Sequence, residues 1–169
     1  MNEYYVSLGS NLGQRGDLLR CAVCAMSRYG IQVQKKSGIY ETLPWGKEDQ
    51  ELFFNAVILV YWEGEPEELL RRLLMIEQEH GRKRMVHWGP RTLDLDLIYG
   101  KNITRDSEFL RLPHPFFWER AFVLVPLADI DPDFTFQGQP VLERIGELHG
   151  LDCVRRTDER WEVTNHDGN

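Results

Sequence analysis

Segments with the two-residue period of β-strands alternate along this chain with segments that have the 3.6-residue period of α-helices. Apolar or alternating stretches predict strands at residues 4–8, 31–40, 52–62 and 91–97. Apolar positions spaced three and four apart predict helices at residues 17–29, 66–80, 117–128 and 141–148. The order strand, helix, strand, strand, helix, strand is therefore followed by a C-terminal region that is mainly helical.

Residues typical of helix ends agree with these boundaries. Pro66 suits a first helical turn because its missing N–H needs no partner there, and Glu67 and Glu68 are favourable at the positive end of the helix dipole. Gly30 and Gly81 follow the first two helices, at the position where a left-handed conformation favours glycine.

This order of elements is that of the ferredoxin-like fold, an α+β architecture in which an antiparallel sheet is backed by helices on one face. We therefore expect a ferredoxin-like β-α-β-β-α-β core with additional C-terminal helices, and a second sheet face that stays free for binding. Residues 1–151 are predicted to form a single domain. Residues 152–169 are polar and charged and are predicted to be a frayed C-terminal tail.

Two carboxylates lie on the fourth predicted strand. Leu93, Leu95 and Leu97 alternate there with Asp94 and Asp96, so both acids leave the same face of the sheet. Two negative charges a few ångströms apart repel each other unless a cation lies between them or water screens them. Oxygen ligands of this kind suit Mg²⁺, which proteins usually hold with one or two carboxylates plus substrate phosphates. The alternative is that the two acids only form the solvated face of a half-covered sheet.

A basic segment with Arg82, Arg84 and Arg91 precedes the two aspartates and brings positive charge to the place where phosphate would bind. Taken alone, Arg82 and Arg84 would be interpreted as a solvated loop after a helix. The chain as a whole carries a net charge of −7, which argues against general nucleic-acid affinity because such binding depends on basic side chains. The partner of the basic segment is therefore expected to be a small anionic molecule.

Length and composition are those of an ordinary globular domain. The 169 residues are 42% hydrophobic and 28% charged, which is enough to bury a core. The longest apolar run, residues 56–62, is too short to cross a bilayer, and the N-terminus lacks the pattern of a leader peptide. We therefore expect a cytoplasmic protein without a membrane partner. No heptad repeat or long apolar surface segment demands another chain, which favours a monomer.

The three cysteines, Cys21, Cys24 and Cys153, fit a reducing compartment. The spacing of Cys21 and Cys24 could be half of a zinc site or a redox pair, but the sequence has no second pair to complete a zinc site. Both residues fall in the first predicted helix, where cysteine behaves as a small apolar residue and is often buried. The favoured interpretation is a pair of structural thiols.

Several segments carry a resemblance to a known family. They are Leu8-Gly9-Ser10-Asn11-Leu12-Gly13, Tyr40-Glu41-Thr42-x-Pro44-x-Gly46, Asp49-Gln50, Phe53-x-Asn55-Ala56-Val57, Gly81-Arg82-x-Arg84, Trp88-Gly89-Pro90-Arg91-Thr92-Leu93-Asp94-Leu95-Asp96, Leu112-Pro113-His114-Pro115 and Glu119-Arg120-Ala121-Phe122-Val123-Leu124. In order and spacing they resemble the motifs of 6-hydroxymethyl-7,8-dihydropterin pyrophosphokinase, an enzyme family of folate biosynthesis. The resemblance extends over most of the chain.

The resemblance implies an enzyme that moves the β,γ-diphosphate of ATP onto the hydroxymethyl oxygen of the reduced pterin and releases AMP. It implies that Asp94 and Asp96 hold two Mg²⁺ ions and that Arg82 and Arg91 act on the triphosphate during transfer. Arginine suits that role because its planar donors can grip two oxygens at once. By the same resemblance, further nucleotide-binding positions are Glu77, Arg84, Trp88, His114 and Arg120. Glu77 alone would be interpreted as an ordinary acid on a helix surface.

The pterin requires a flat slot with polar edges. By the resemblance, this slot has two stacking rings, an amide at its edge, two residues whose backbone completes the recognition, and a wall. In that order they are Phe53, Phe122, Asn55, Thr42, Leu43 and Trp45. Core packing is the usual alternative for phenylalanine. It explains Asn55 less well, because a buried amide without partners costs roughly 1–3 kcal/mol.

Loops at residues 9–13, 42–50 and 82–89 are predicted to close over ATP and to exclude water. Two other function classes compete with this interpretation. Some ferredoxin-like domains bind RNA, but they expose aromatic residues within basic strand motifs that this acidic chain lacks. Another Mg²⁺-dependent transferase that uses a nucleotide and an Asp-x-Asp pair is the main alternative.

Overall fold

The structure is a computed structural model that describes residues 2–10, 15–42, 53–80, 93–149 and 153–162. Its α-helices are α1 (Arg15–Met26), α2 (Pro66–His80), α3 (Ala121–Ile130) and α4 (Val141–Glu147). Its strands are β1 (Asn2–Ser10), β2 (Gln32–Lys36), β3 (Tyr40–Thr42), β4 (Phe53–Trp62), β5 (Leu93–Gly100), β6 (Arg105–Asp106), β7 (Arg111–Leu112), β8 (Thr135–Phe136), β9 (Gln139–Pro140) and β10 (Val154–Arg156). Single 3₁₀ turns follow α1 and precede α3, at Ser27–Tyr29 and Phe117–Glu119.

The main sheet is antiparallel, with the strand order β10-β3-β4-β1-β5 and with β2 paired to β4 beside β3. β1 lies between β4 and β5, which is the arrangement that the β-α-β-β-α-β order produces in a ferredoxin-like fold. The predicted fold class is confirmed.

The predicted strand at residues 31–40 is divided into β2 and β3. At the break, the hydroxyl of Ser37 accepts a hydrogen bond from the Val57 amide at 3.0 Å and donates one to the Gly38 carbonyl at 2.6 Å. The Gly38 amide leaves the ladder and donates to the carboxylate of Asp129 at 2.8 Å. A side chain and a distant helix therefore take over backbone groups that a continuous strand would have paired.

Helices α1 and α2 cover the first face of the sheet. On α2, Leu69, Leu73 and Ile76 are fully buried, which confirms the apolar spacing that predicted this helix. Each such side chain contributes about 1.5–3 kcal/mol of hydrophobic stabilisation. These helices pack on the strand residues whose side chains point to the first face, namely Tyr4, Val6, Leu8, Phe54, Ile58, Val60, Leu93, Leu95 and Leu97.

The second face of the sheet is only partly open. At one end, α3 and the segments that flank it bury Tyr5, Val57, Leu59 and Ile98 in a separate apolar cluster. The expectation that this whole face stays free is therefore wrong, because these strand residues are apolar and require cover. The other end of the face carries polar residues and glycine instead.

Part of the predicted tail is attached to the sheet. Residues 153–162, which we call the C-terminal strap, begin at the edge of the sheet, where β10 pairs with β3. Trp161 packs against the core of the first face, and its indole N–H donates to the Ser37 carbonyl at 2.7 Å. The prediction of a frayed tail is thus wrong for these residues.

The cysteine thiols in the structure are free, and Cys21 and Cys24 are exposed. Helix α1 buries Leu19, Ala22 and Met26 instead, which turns both cysteines toward solvent. The expectation that the helix buries them is wrong.

No helix in the described part of the chain is long and apolar enough to cross a membrane.

Candidate active site

A row of four residues crosses the sheet at the polar end of the second face. Tyr40, Asn55, Gly9 and Asp94 are direct neighbours on β3, β4, β1 and β5. Residues opposite each other in antiparallel strands project from the same face. The amide of Asn55 and the carboxylate of Asp94 therefore rise from one surface with a glycine between them.

Because Gly9 is a glycine, no side chain rises from the sheet between Asn55 and Asp94. A Cβ at this position would lie 3.3 Å from the Asn55 Oδ1 atom. The missing side chain thus leaves space beside the amide oxygen, which a flat ligand could occupy.

Asp96 lies in the adjacent row, opposite the buried Ser7. Asp94 is exposed and Asp96 is partly buried, whereas Leu93, Leu95 and Leu97 are at most 4% exposed. The alternation predicted for this strand is confirmed. Because residues two apart on a strand are separated by roughly 6.5–7 Å, the two carboxylates form one acidic ridge.

Glu77 connects α2 to the backbone between the two aspartates. Its side chain is 4% exposed, and its Oε2 atom accepts a hydrogen bond from the Leu95 amide at 2.7 Å. Since β5 is an edge strand, this amide faces away from β1 and needs a partner outside the sheet. The interpretation of Glu77 as a helix-surface acid is therefore wrong: it fixes the strand that carries the aspartates. Its predicted contact with nucleotide stays a prediction.

Thr42 and Asn55, both predicted to bind the pterin, are brought together by the pairing of β3 with β4. The Asn55 side-chain amide donates to the Thr42 hydroxyl at 2.6 Å. Asn55 is 5% exposed, so this bond satisfies part of a buried polar group. Phe53 lies opposite Thr42 on the same face and is only partly buried, which leaves its ring accessible.

His114 lies beside the acidic ridge. Its backbone amide donates to the carbonyl of Ile98 on β5 at 2.8 Å, and its Nδ1 atom accepts from the Phe116 amide at 3.1 Å. In the neutral ring, the proton is then on Nε2, which is left as a donor. Burial lowers the pKa of His114, nearby Asp96 raises it and Arg120 lowers it further. The lowered pKa favours the neutral form of His114, in which Nε2 is a donor.

Arg120 lies between two aromatic rings. Its guanidinium carbon is 5.7 Å from the ring centroid of Phe116 and 5.8 Å from that of Phe122. These distances are within the range of cation–π attraction. Phe122 itself is half-buried at the start of α3. A predicted nucleotide-binding arginine is thus in contact with a predicted pterin-stacking ring.

Six predicted site residues lie outside the described residues, namely Leu43, Trp45, Arg82, Arg84, Trp88 and Arg91. The same holds for most of the three predicted closing loops. Ser7, Gly9 and Tyr40 were not predicted as site residues although they line the same rows. The alternation of Tyr5, Ser7 and Gly9 along β1 could have identified two of them, because it places small residues on the face that Asp94 and Asp96 share.

The donor set at the acidic ridge fits magnesium better than a structural transition metal. The described residues contain no group of three or more His, Cys, Asp or Glu side chains that could enclose a metal. Two carboxylates on one face of the sheet suit a hard cation that also keeps water and phosphate oxygens as ligands.

Comparison with known proteins identifies the family of this chain. The sequence model of a family described as 7,8-dihydro-6-hydroxymethylpterin-pyrophosphokinase (HPPK) matches residues 5–132. The 2-amino-4-hydroxy-6-hydroxymethyldihydropteridine pyrophosphokinase of Methylorubrum extorquens is 42% identical over 149 residues, which cover 88% of this chain and 94% of that protein. The Bacillus subtilis protein of the same name is 45% identical over 130 residues, which cover 76% of this chain and 78% of that protein.

Solved structures support the fold. The Plasmodium falciparum wild-type HPPK-DHPS crystallised with pterin and p-hydroxybenzoate superposes with a TM-score of 0.70 at 13% identity, over 92% of this chain and 45% of that chain. Among the sequence relatives, the mitochondrial folate synthesis bifunctional protein of Arabidopsis thaliana is 42% identical over 188 residues, which cover 97% of this chain and 33% of that protein. On the strength of the family match and the two bacterial relatives, this chain belongs to the 7,8-dihydro-6-hydroxymethylpterin-pyrophosphokinase family, enzymes of folate synthesis.

Proposed function

We propose that this enzyme transfers the β,γ-diphosphate of ATP to the hydroxymethyl oxygen of 6-hydroxymethyl-7,8-dihydropterin. The hydroxyl oxygen attacks the β-phosphorus, the bond from that phosphorus to the oxygen bridging the α- and β-phosphates breaks, and AMP leaves with the bridging oxygen. The hydroxyl proton is lost to solvent or to a phosphate oxygen. No covalent enzyme intermediate is required.

One observation carries this proposal: Asn55, Gly9 and Asp94 are successive neighbours in one row of the sheet. Neighbouring strands are about 4.8 Å apart, so the backbones of Asn55 and Asp94 are separated by about 10 Å. A pterin whose edge meets the amide would therefore direct its hydroxymethyl group across Gly9 toward the carboxylate. Acceptor and donor of the diphosphate would meet on one rigid surface, and such positioning can account for much of a rate enhancement.

Asp94 and Asp96 are the residues that would hold two magnesium ions together with ATP. When bound, the ions would neutralise negative charge on the attacking hydroxymethyl oxygen and on the leaving bridging oxygen. The protein's contribution is to keep both carboxylates on one strand. The Leu95 amide between them is fixed by the buried carboxylate of Glu77 at 2.7 Å.

His114 and Arg120 are proposed to supply hydrogen-bond donors to the phosphates near the acidic ridge. The neutral His114 ring would donate from Nε2 to a phosphate oxygen, because Nδ1 is occupied by the Phe116 amide. Arg120 would add positive charge near the same phosphates while its guanidinium stays in contact with the rings of Phe116 and Phe122. Arg82 and Arg91 are proposed to complete the charge neutralisation, with Arg84 and Trp88 as further nucleotide contacts.

The pterin would bind between the rings of Phe53 and Phe122. Asn55 is suited to the edge because one side-chain amide offers both a donor and an acceptor. Its contact with Thr42 fixes the orientation of that amide before the ligand arrives. Backbone groups near Leu43 and the ring of Trp45 are proposed to complete the slot.

The test is to follow nucleotide products from ATP, Mg²⁺ and 6-hydroxymethyl-7,8-dihydropterin. We expect AMP that depends on pterin, and a loss of about 10²-fold or more in kcat in Asp96→Ala. Asp133→Ala is the matched control, because Asp133 is exposed and lies after α3. Calorimetry of Mg²⁺ with a non-hydrolysable ATP analogue reads the metal site independently of turnover. ADP in place of AMP, or pterin-independent turnover, would refute the proposal and favour another Asp-x-Asp transferase.

A further inference from the structure

The C-terminal strap joins the sheet next to the proposed pterin slot. Val154 of the strap lies opposite Thr42 on β3, and Thr42 lies in turn opposite Phe53 on β4. Strand β3 has only the three residues Tyr40–Thr42. It is therefore held between the strap on one side and the pterin-binding strand on the other.

The strap is anchored along the whole segment that leads to Thr42. The indole N–H of Trp161 donates to the Ser37 carbonyl at 2.7 Å. The amide and hydroxyl of Thr157 both donate to the Ile39 carbonyl, at 3.0 Å and 2.7 Å. Since Trp161 also packs on the core of the first face, the strap has an apolar anchor as well as polar contacts.

Two glycines make room for side chains of the strap. A Cβ at Gly38 would lie 2.7 Å from the guanidinium carbon of Arg156, and one at Gly16 would lie 2.6 Å from the Oε1 atom of Glu159. Arg156 also contacts Asp129 of α3, at 3.2 Å. The strap thus contacts α1, α3 and the break between β2 and β3.

We infer that the strap is a positioning element for pterin recognition, with Trp161 as its main positioning residue. The residues matched by the family's sequence model end at 132, so the strap lies outside that match. Without β10, β3 becomes a short edge strand, and such elements open locally at low cost. Opening would displace Thr42, whose hydroxyl accepts the Asn55 amide at 2.6 Å. The identity of the ligand rests on the proposed function.

The strap acts on the pterin end of the site and leaves the nucleotide end alone. In the strand order β10-β3-β4-β1-β5, the aspartates are on the strand farthest from the strap. Loosening the strap should therefore weaken pterin binding without a matching effect on nucleotide. A larger effect on pterin affinity than on nucleotide affinity distinguishes positioning from a general loss of stability.

The experiment compares the full-length wild type with Trp161→Ala, Trp161→Phe and the matched control Asp158→Ala, whose side chain is exposed on the same strap. Fluorescence titration gives Kd for 6-hydroxymethyl-7,8-dihydropterin, and calorimetry gives Kd for a non-hydrolysable ATP analogue with Mg²⁺. Hydrogen exchange reports the protection of the amides at residues 40–42 and 154–156. Kinetics give KM for each substrate alongside kcat.

If the Trp161→Ala protein holds β3 in place about a tenth of the time, its apparent pterin affinity falls about tenfold, with the nucleotide Kd changed by less than about twofold. The amides at residues 40–42 should lose protection. Trp161→Phe should recover most of the pterin affinity, because it keeps an aromatic ring packed against the core of the first face. Asp158→Ala should match the wild type.

Unchanged pterin affinity in a variant whose strap amides exchange freely would overturn the inference, as would equal losses for pterin and nucleotide. If Trp161→Ala keeps the strap protected, Arg155→Pro detaches it by placing proline in the middle of β10, and the same two criteria then apply. A wild-type protein that binds no pterin would refute the proposed function together with this role. Exchange at residues 40–42 would still report separately whether the strap holds β3.

Discussion

The carboxylate of Glu77 accepts a hydrogen bond from the backbone amide of Leu95 at 2.7 Å, on the strand segment between Asp94 and Asp96. The contact links a helix of the first face to the acidic ridge of the second. Geometry at the proposed metal site therefore depends on a residue that is itself 4% exposed.

Replacing Glu77 with leucine should destabilise the protein by about 1–3 kcal/mol, because it leaves the buried Leu95 amide without its acceptor. Glu77→Gln keeps an acceptor oxygen and should lose less. Gln78→Leu is the control, since Gln78 is the exposed neighbour on α2. Urea unfolding measures the free energies, and Mg²⁺ titration with an ATP analogue should show weaker binding in Glu77→Leu. A leucine variant as stable as the wild type would contradict the role given to this bond.

Local periodicity was enough to predict most of the fold. The alternation of leucines with Asp94 and Asp96 gave the correct strand and face, and Pro66 marked the start of α2 because both signals act within a few residues. Contacts between distant segments were missed. Glu77 carries no local sign that it meets Leu95, and the strap residues are polar although Trp161 reaches Ser37.

The residues of the candidate site, like the elements of the fold, could be predicted only in part. Thr42, Asn55 and Asp94 were identified through a family resemblance, and the sheet register places them in or beside one row. Gly9 was part of the resemblance but had no assigned role, because the value of a missing side chain depends on its neighbours across two strands. Cys21 and Cys24 were misjudged since both lie on the face of α1 that does not pack.

Gly9→Ala should weaken pterin binding while leaving folding nearly intact. The new methyl group would lie 3.3 Å from the Asn55 Oδ1 atom and would raise the floor of the proposed slot. Loss of the flexible glycine from the unfolded chain offsets part of the crowding, by about 0.4–1 kcal/mol. Parallel measurements of pterin Kd and of thermal unfolding separate the two effects.

Gly146→Ala provides the comparison for this change, because a Cβ there meets nothing within 4 Å in α4. It should stabilise the helix by up to about 1 kcal/mol and leave pterin affinity unaltered. Wild-type pterin affinity in Gly9→Ala would argue against a ligand lying across the Asn55–Asp94 row.

Thr42→Val should cost about 1–3 kcal/mol of unfolding free energy, because the side chain keeps its shape but no longer accepts from the buried Asn55 amide. The freed amide should also lose its fixed orientation and bind pterin more weakly. Thr42→Ser retains the hydroxyl and should stay close to the wild type, as should Thr135→Val on an exposed position of β8. Chemical denaturation gives the unfolding free energy, and pterin titration gives the affinity. Equal values of both in the valine and serine variants would rule out a role for the hydroxyl.

The pH dependence of stability should carry a contribution from His114. Burial lowers the pKa of this histidine in the folded protein, with Asp96 opposing the shift and Arg120 adding to it. The unfolded chain then binds a proton more readily than the folded one as pH falls below about 6.5. The stabilising contribution is therefore fully present at higher pH and is lost as pH falls through that value.

We expect the wild type without ligands to lose more unfolding free energy between about pH 7.5 and about pH 5.5 than His114→Gln does, because glutamine has no proton to gain. Urea unfolding at a series of pH values measures how the unfolding free energy of each protein changes with pH, and this change is the slope compared here. His149→Gln serves as the control, since His149 is exposed after α4 and its replacement should leave the wild-type slope in place. Identical slopes in the wild type and His114→Gln would mean that His114 protonates as easily in the folded protein as in the unfolded chain. Its assignment as a neutral donor to phosphate would then fail.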